Sequence, residues 1–221
     1  MRKLLAIFLL LIPFAGGAQA DPDAAMRRAG LVDVTTIDST LQVRLMYATA
    51  DNFVGRNMYG TLREAYLHPE FARMLAAAQA DLRRTYPDYS LLVLDAARPM
   101  SAQRTMFRLV AGTPKNIYVA NPAKGGGRHN YGAAVDVTIL DASGRELDMG
   151  TKVDHFGPEA HVGLEAELVR QGKITAAAAA NRALLRGIMT RAGFSGVKYE
   201  WWHFHKYSVA QLQQKYTLLD F

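Results

Sequence analysis

The chain has 221 residues, half of them hydrophobic, with 26 Lys and Arg against 20 Asp and Glu and no cysteine. That length and apolar content allow one domain with a proper core and exclude bulk disorder. The net charge of +6 is mild and scattered with no Lys/Arg block, so nucleic-acid binding is not expected, and the lack of cysteine excludes disulfides and a cysteine-linked lipid anchor.

Residues 1–20 read as a secretory signal peptide. They carry Arg2 and Lys3, an apolar run from Leu4 to Phe14, and a small-x-small end at Ala18-Gln19-Ala20. The run is short for a membrane span, so no stable membrane anchor is expected. The remainder, 21–221, reads as one domain released to the periplasm or the exterior after cleavage near Ala20.

"LVDVTTIDSTLQVRLMYAT" alternates enough to suggest strands with a turn near Asp38-Ser39. "DNFVGRNMYG" reads as loop. From Pro69 to about Tyr86, Phe71, Met74, Leu75, Ala78 and Leu82 recur at helical spacing, and Pro69 suits a first turn. "YSLLVLDAARP" reads as a buried strand stopped by Pro99, followed by a helix capped by Ser101. After a loop over 111–127, "AAVDVTIL" is a strand ended by a turn at Asp141-Ala142-Ser143-Gly144. Thr175 to Arg191 is a second long helix ended by Gly193, and "VKYEWWHF" is the last strand. Strands and helices follow no βαβ cadence. The expectation is an α+β fold with a central, mostly antiparallel sheet and flanking helices.

Two polar anomalies stand out. In "GRHNYGAAVDVTI", Asp136 enters an apolar strand, seven residues after His129. An ionised carboxylate there is costly unless a cation offsets it. In "KYEWWHFHKY", both tryptophans of the chain stand between Glu200 and His203. His129, Asp136 and His203 form a set that suits zinc with a position left for water, and Glu200 suits a base acting on that water.

"HNYGAAVD" and "EWWHF" resemble the zinc D-alanyl-D-alanine dipeptidases of the VanX type, within the zinc DD-peptidase group. "YATADNFVGRNMYG", "LDAARP" and "MGTKVD" resemble further segments of that family in family order, from about Leu41 to Phe204. The resemblance implies one zinc per chain on His129, Asp136 and His203, Glu200 as general base, and Arg98 stabilising the oxyanion. It implies a small dipeptide substrate, D-Ala-D-Ala, whose ammonium is held by Tyr47 and Asp154. Arg98 also reads as a surface ion pair, Tyr47 as core, and Asp154 as a cap or turn residue. The family often has a serine two places before the first histidine; here Gly127 stands there. His68, His155, His161 and His205 are assigned to no metal. One alternative is an exported DD- or LD-carboxypeptidase of the same group, and another is a zinc-stabilised wall-binding module without catalysis.

Overall fold

A computed structural model describes residues 21–221; the expected signal peptide lies outside the described residues. In chain order the elements are α1 (Pro22–Arg28), β1 (Val32–Asp33), α2 (Val34–Ile37), β2 (Gln42–Val43), β3 (Tyr66–Leu67) and α3 (Pro69–Thr85). There follow β4 (Ser90–Asp95), α4 (Met100–Val110), β5 (Ala134–Leu140), α5 (Glu165–Arg170), α6 (Ala176–Arg191), β6 (Ser195–Val197), β7 (Glu200–His205) and α7 (Val209–Lys215).

The most apolar stretches become the middle of a five-stranded sheet, in the order β2-β4-β5-β7-β6. Only β2 and β4 run parallel; the other pairs are antiparallel. The fold is therefore a single α+β domain with a mostly antiparallel sheet, as expected. Leu91 and Val93 of β4 join Val135, Val137 and Ile139 of β5 in the main core. Helix α3 adds Phe71, Leu75, Ala78 and Leu82, and α6 adds Leu185, Ile188 and Met189. Helix α3 follows the spacing seen in the sequence. Thr175 caps α6 by accepting from the Ala178 N–H at 2.9 Å, and Gly193 ends it at φ 95°.

The local differences have physical causes. The strand expected before the turn at Asp38-Ser39 is cut short because the Asp33 carboxylate accepts from the Thr35 N–H at 3.0 Å and from Thr35 Oγ1 at 2.7 Å. This cap turns a β-prone sequence into the short helix α2. Ser101 caps nothing. The first free N–H groups of α4 instead donate to the C-terminal tail, Met100 to Leu219 O at 2.9 Å and Ser101 to Phe221 O at 3.4 Å. "VKYEWWHF" is two strands, because the chain turns at Lys198-Tyr199 and pairs Val197 with Glu200.

One irregularity shapes the site. Val93 pairs with Val137, yet the next pair is Asp95 with Asp136, so Leu94 is an extra residue on β4. Simple alternation from Leu91 and Val93 would send Asp95 into the core. The bulge turns it to the side of Asp136 instead.

Candidate active site

Asp136 lies between two core valines in β5 and is 3% exposed. His203 pairs directly with it across β7, so both side chains share a face. His203 Nδ1 stands 3.1 Å from Asp136 Oδ1. His129 arrives by another route. A short 3₁₀ turn, Arg128–Tyr131, ends at Gly132 in a left-handed conformation, φ 59°. A Cβ on Gly132 would meet Leu31 Cδ2 at 2.6 Å, so glycine is needed both for the backbone and for the space. The turn folds the chain back until His129 Nε2 is 3.3 Å from Asp136 Oδ1 and 3.0 Å from His203 Nδ1.

These three atoms form the one potential ligand cluster of three or more His, Asp or Glu side chains among the described residues. His129 Nδ1 is 2.7 Å from Ala96 O, an acceptor, so that nitrogen carries the proton and Nε2 offers its lone pair. Lone pairs of Nε2 and a carboxylate then converge with the His203 ring on one buried point, an arrangement that calls for a cation. The separations suit one, since tetrahedral bonds of about 2.0–2.1 Å give donor–donor edges of roughly 3.3 Å. Burial pushes Asp136 up, but the two imidazoles outweigh it and hold the carboxyl far below its ordinary range. Burial holds His203 below its ordinary value, whereas at His129 burial is outweighed by Asp136, which draws that imidazole above its own. A metal takes an ionised carboxylate and neutral imidazoles, so binding here would release a proton from His129.

Glu200 lies at the start of β7, its Oε2 3.8 Å from His203 Nδ1. Burial, with repulsion from Asp136 and Asp154, pushes its carboxyl well above the ordinary range. Trp202 lines the same cavity. Trp201 packs elsewhere: its Nε1 donates to Thr151 Oγ1 at 2.8 Å, and Arg182 lies 5.8 Å from its ring centre.

Arg98 is buried, not on the surface. Its Nε and Nη2 donate to Asp95 Oδ2 at 3.0 and 2.5 Å, and its Nη1 donates to Gln103 Oε1 at 3.0 Å. Tyr59 Oη donates to the other Asp95 oxygen. Gln103 also ties the site to the loop over 114–120 by donating to Ala120 O at 2.7 Å. The guanidinium is thus fixed, 5.0 Å from the Tyr47 ring centre and 4.0 Å from Asp136 Oδ2.

Tyr47 is almost wholly buried, and its hydroxyl donates to Asp154 Oδ2 at 2.7 Å. Asp154 is the one non-glycine residue with positive φ, 62°, among the described residues. It sits in a turn, yet its carboxylate serves Tyr47 rather than a backbone N–H. Burial raises it to about 7, against the lowering effect of the Tyr47 hydroxyl.

All seven residues singled out in the sequence line one cavity of about 230 Å³. Asp95, Gln103 and Arg128 were not singled out. Asp95 carried a signal, since it ends an apolar strand as Asp136 interrupts one. Gln103 carried a weaker one, a glutamine on the apolar face of α4. A Cβ on Gly127 would meet Ala120 Cβ at 2.9 Å, so the loop occupies the space a serine would need. Of the other histidines, His205 packs its ring 5.4 Å from that of His203, while His155 and His161 belong to other contacts. His155 pairs with Glu159 and His161 with Tyr118 Oη, each at 3.1 Å, and His205 Nδ1 has no hydrogen-bond partner.

Fold and site together define a hydrolase of the metallopeptidase class. A family model described as D-ala-D-ala dipeptidase, peptidase family M15, matches residues 27–220. The chain belongs to that family. It is 34% identical over 174 residues to the D-alanyl-D-alanine dipeptidase of Escherichia coli (strain K12), covering 79% of this chain and 83% of that protein. It is 29% identical over 177 residues to the D-alanyl-D-alanine dipeptidase of Enterococcus faecalis, covering 72% and 82%. A protein of the same name from Synechocystis is 32% identical over 183 residues, covering 69% and 71%.

Proposed function

We propose that this chain is an exported zinc dipeptidase that hydrolyses free D-Ala-D-Ala to two D-alanine molecules in cell-wall peptide turnover. The observation that carries the reading is the convergence of His129, Asp136 and His203 in a small cavity that Glu200, Arg98 and Asp154 also line. Those three ligands would hold one zinc ion. When bound, the ion supplies Lewis acidity, which acidifies a water molecule and polarises the scissile carbonyl.

Glu200 takes a proton from the attacking water and delivers it to the leaving amine as the C–N bond breaks. Burial keeps its carboxyl basic enough for the task. Arg98 faces the negative charge that develops on the carbonyl oxygen. Its guanidinium cannot lose its proton, and Asp95 and Gln103 hold it in place before the reaction. Asp154 pairs with the substrate ammonium, oriented by the Tyr47 hydroxyl. The cavity volume of about 230 Å³ is below the ~300–1,000 Å³ typical of drug-sized ligands, which favours a dipeptide over a longer stem peptide.

The deciding comparison is amine release from D-Ala-D-Ala against N-acetyl-D-Ala-D-Ala. The acetylated form has no ammonium for Asp154 and is expected to show a KM roughly tenfold higher or more. Asp154→Asn should impose a comparable rise on the free dipeptide. Equal cutting of both substrates by the wild type would move the reading to the carboxypeptidase. The clamp also carries a pH signature. The pairing needs Asp154 ionised, and burial places that ionisation near 7. KM for the free dipeptide should therefore fall as pH rises through about 7, and Asp154→Asn should lose that dependence.

Export rests on the basic start, apolar run and small-x-small end of residues 1–20. No helix among the described residues is long and apolar enough to cross a membrane. Cells expressing the full chain should yield a periplasmic or secreted species whose N-terminal sequence starts at Asp21. An uncleaved chain embedded in the membrane would overturn the export reading.

A further inference from the structure

The cavity contains a second arginine that the chemistry above does not use. Arg128 lines it, beside Gly127 and His129. Its Nε donates to Tyr207 O at 3.0 Å. Among the described residues, no carboxylate lies within ion-pair distance of its guanidinium, whereas Arg98 is engaged by Asp95 and Gln103. Glu200 is close enough for its charge to act on Arg128 but does not bond it, so the Nη atoms of a guanidinium that faces the cavity stay open to an anion from the substrate.

Its position matters as much as its charge. Tyr207 lies just past His205, which pairs with Ala134 at the N-terminal end of β5. The segment carrying Asp154 is anchored at the other end of β5. There the Leu147 N–H donates to Ile139 O at 2.8 Å, and Thr151 accepts from Trp201. The two backbone anchors thus lie toward opposite ends of the strand, with Asp136 between them in register. The cavity receives a carboxylate, Asp154, from one segment and a guanidinium, Arg128, from the other, with Arg98 in reach of Asp154 and Glu200 in reach of Arg128. A free dipeptide carries an ammonium and a carboxylate on either side of one peptide bond.

We infer that Arg128 binds the C-terminal carboxylate of the substrate and so sets the requirement for a free carboxyl terminus, an inference that rests on the peptidase reading of this site. With the ammonium at Asp154 and the carboxylate at Arg128, the single peptide bond is centred on the Asp136 cluster, where Glu200 and Arg98 stand. The planar guanidinium can still offer its Nη atoms as a fork while Nε stays on Tyr207 O.

The test is a ratio measured within each protein. KM and kcat are determined for D-Ala-D-Ala and for D-alanyl-D-alaninamide, whose terminus is neutral, with wild type, Arg128→Gln and Arg128→Lys. The wild type should prefer the acid by about 10- to 100-fold, mostly through KM. Arg128→Gln should lose that preference by weakening the acid alone, and Arg128→Lys should keep part of it. A partly misfolded variant lowers both rates together and leaves the ratio intact. If Arg128→Gln keeps the wild-type ratio, Arg128 does not engage the carboxylate and the inference falls. If the wild type cuts neither form, the dipeptidase reading has failed. The same ratio is then read on N-acetyl-D-Ala-D-Ala and its amide, where it still decides the role of Arg128.

Discussion

Chelation is expected to abolish hydrolysis of D-Ala-D-Ala and zinc to restore it, with about one ion bound per chain. The expectation follows from the donor atoms. His129 Nε2, His203 Nδ1 and Asp136 Oδ1 lie within 3.0–3.3 Å of one another in the protein interior. Two imidazoles and a carboxylate that close give a site whose ligands need no rearrangement to bind. Removing one ligand leaves two, so His129→Ala, Asp136→Ala and His203→Ala should each lose metal and activity together. Stability gives a readout independent of turnover. A ligand present at 100 times its dissociation constant stabilises a protein by about 2.7 kcal/mol. For a chain of this size each kcal/mol shifts Tm by about 2–4 °C. Zinc should therefore raise the Tm of the stripped wild type by roughly 5–10 °C. Asp136→Asn keeps the side-chain shape but loses the charge, and its Tm should respond far less. If a variant lacking all three ligands still binds one zinc tightly, the assignment is wrong.

Much of this site was legible because it violates the pattern around it. Asp136 stands out against Ala134, Val135, Val137 and Ile139, and Glu200 and His203 stand out against two tryptophans. A strand buried on both faces leaves few reasons for a charged residue, so a charge there points to a partner. Between His129 and Asp136, Gly132 supplies the left-handed residue that the reversal needs. Asp95 ends an apolar strand and so carries a polar signal, but alternation assigns it to the core face. Only the extra residue Leu94 reverses that, and the bulge depends on pairing with β5, which no local window contains. Ser101 misled for a similar reason. The helix starts one residue earlier than a Ser101 cap would place it, and its first N–H groups, those of Met100 and Ser101, are satisfied by Leu219 and Phe221, more than a hundred residues away. Arg128 has ordinary sequence surroundings. Its meaning comes from which partners the fold gives it and which it leaves out.

Glu200→Gln separates holding the metal from doing the chemistry. Glutamine keeps the length, planarity and most of the hydrogen-bonding ability of glutamate but cannot take a proton from water at neutral pH. Glu200 lies 3.8 Å from His203 Nδ1 and outside the three-atom cluster, so the variant should retain zinc, and its fold should be unchanged. Removing a buried carboxylate that Asp136 and Asp154 repel should even relieve some like-charge tension. Turnover, by contrast, should fall by about 10²- to 10⁴-fold, the scale of general acid–base catalysis, with a small change in KM. That pattern of full metal, a native Tm and a collapsed kcat is what separates a base from a ligand. Zinc loss in step with activity would make Glu200 a ligand, and the base would have to be sought elsewhere in the cavity. Retention of near wild-type kcat would remove proton transfer by Glu200 from the mechanism altogether. The variant then serves a second purpose. A protein that binds substrate without consuming it allows calorimetric titration with D-Ala-D-Ala, in which Asp154→Asn and Arg128→Gln can each be added and the two ends of the cavity weighed apart from the chemistry between them.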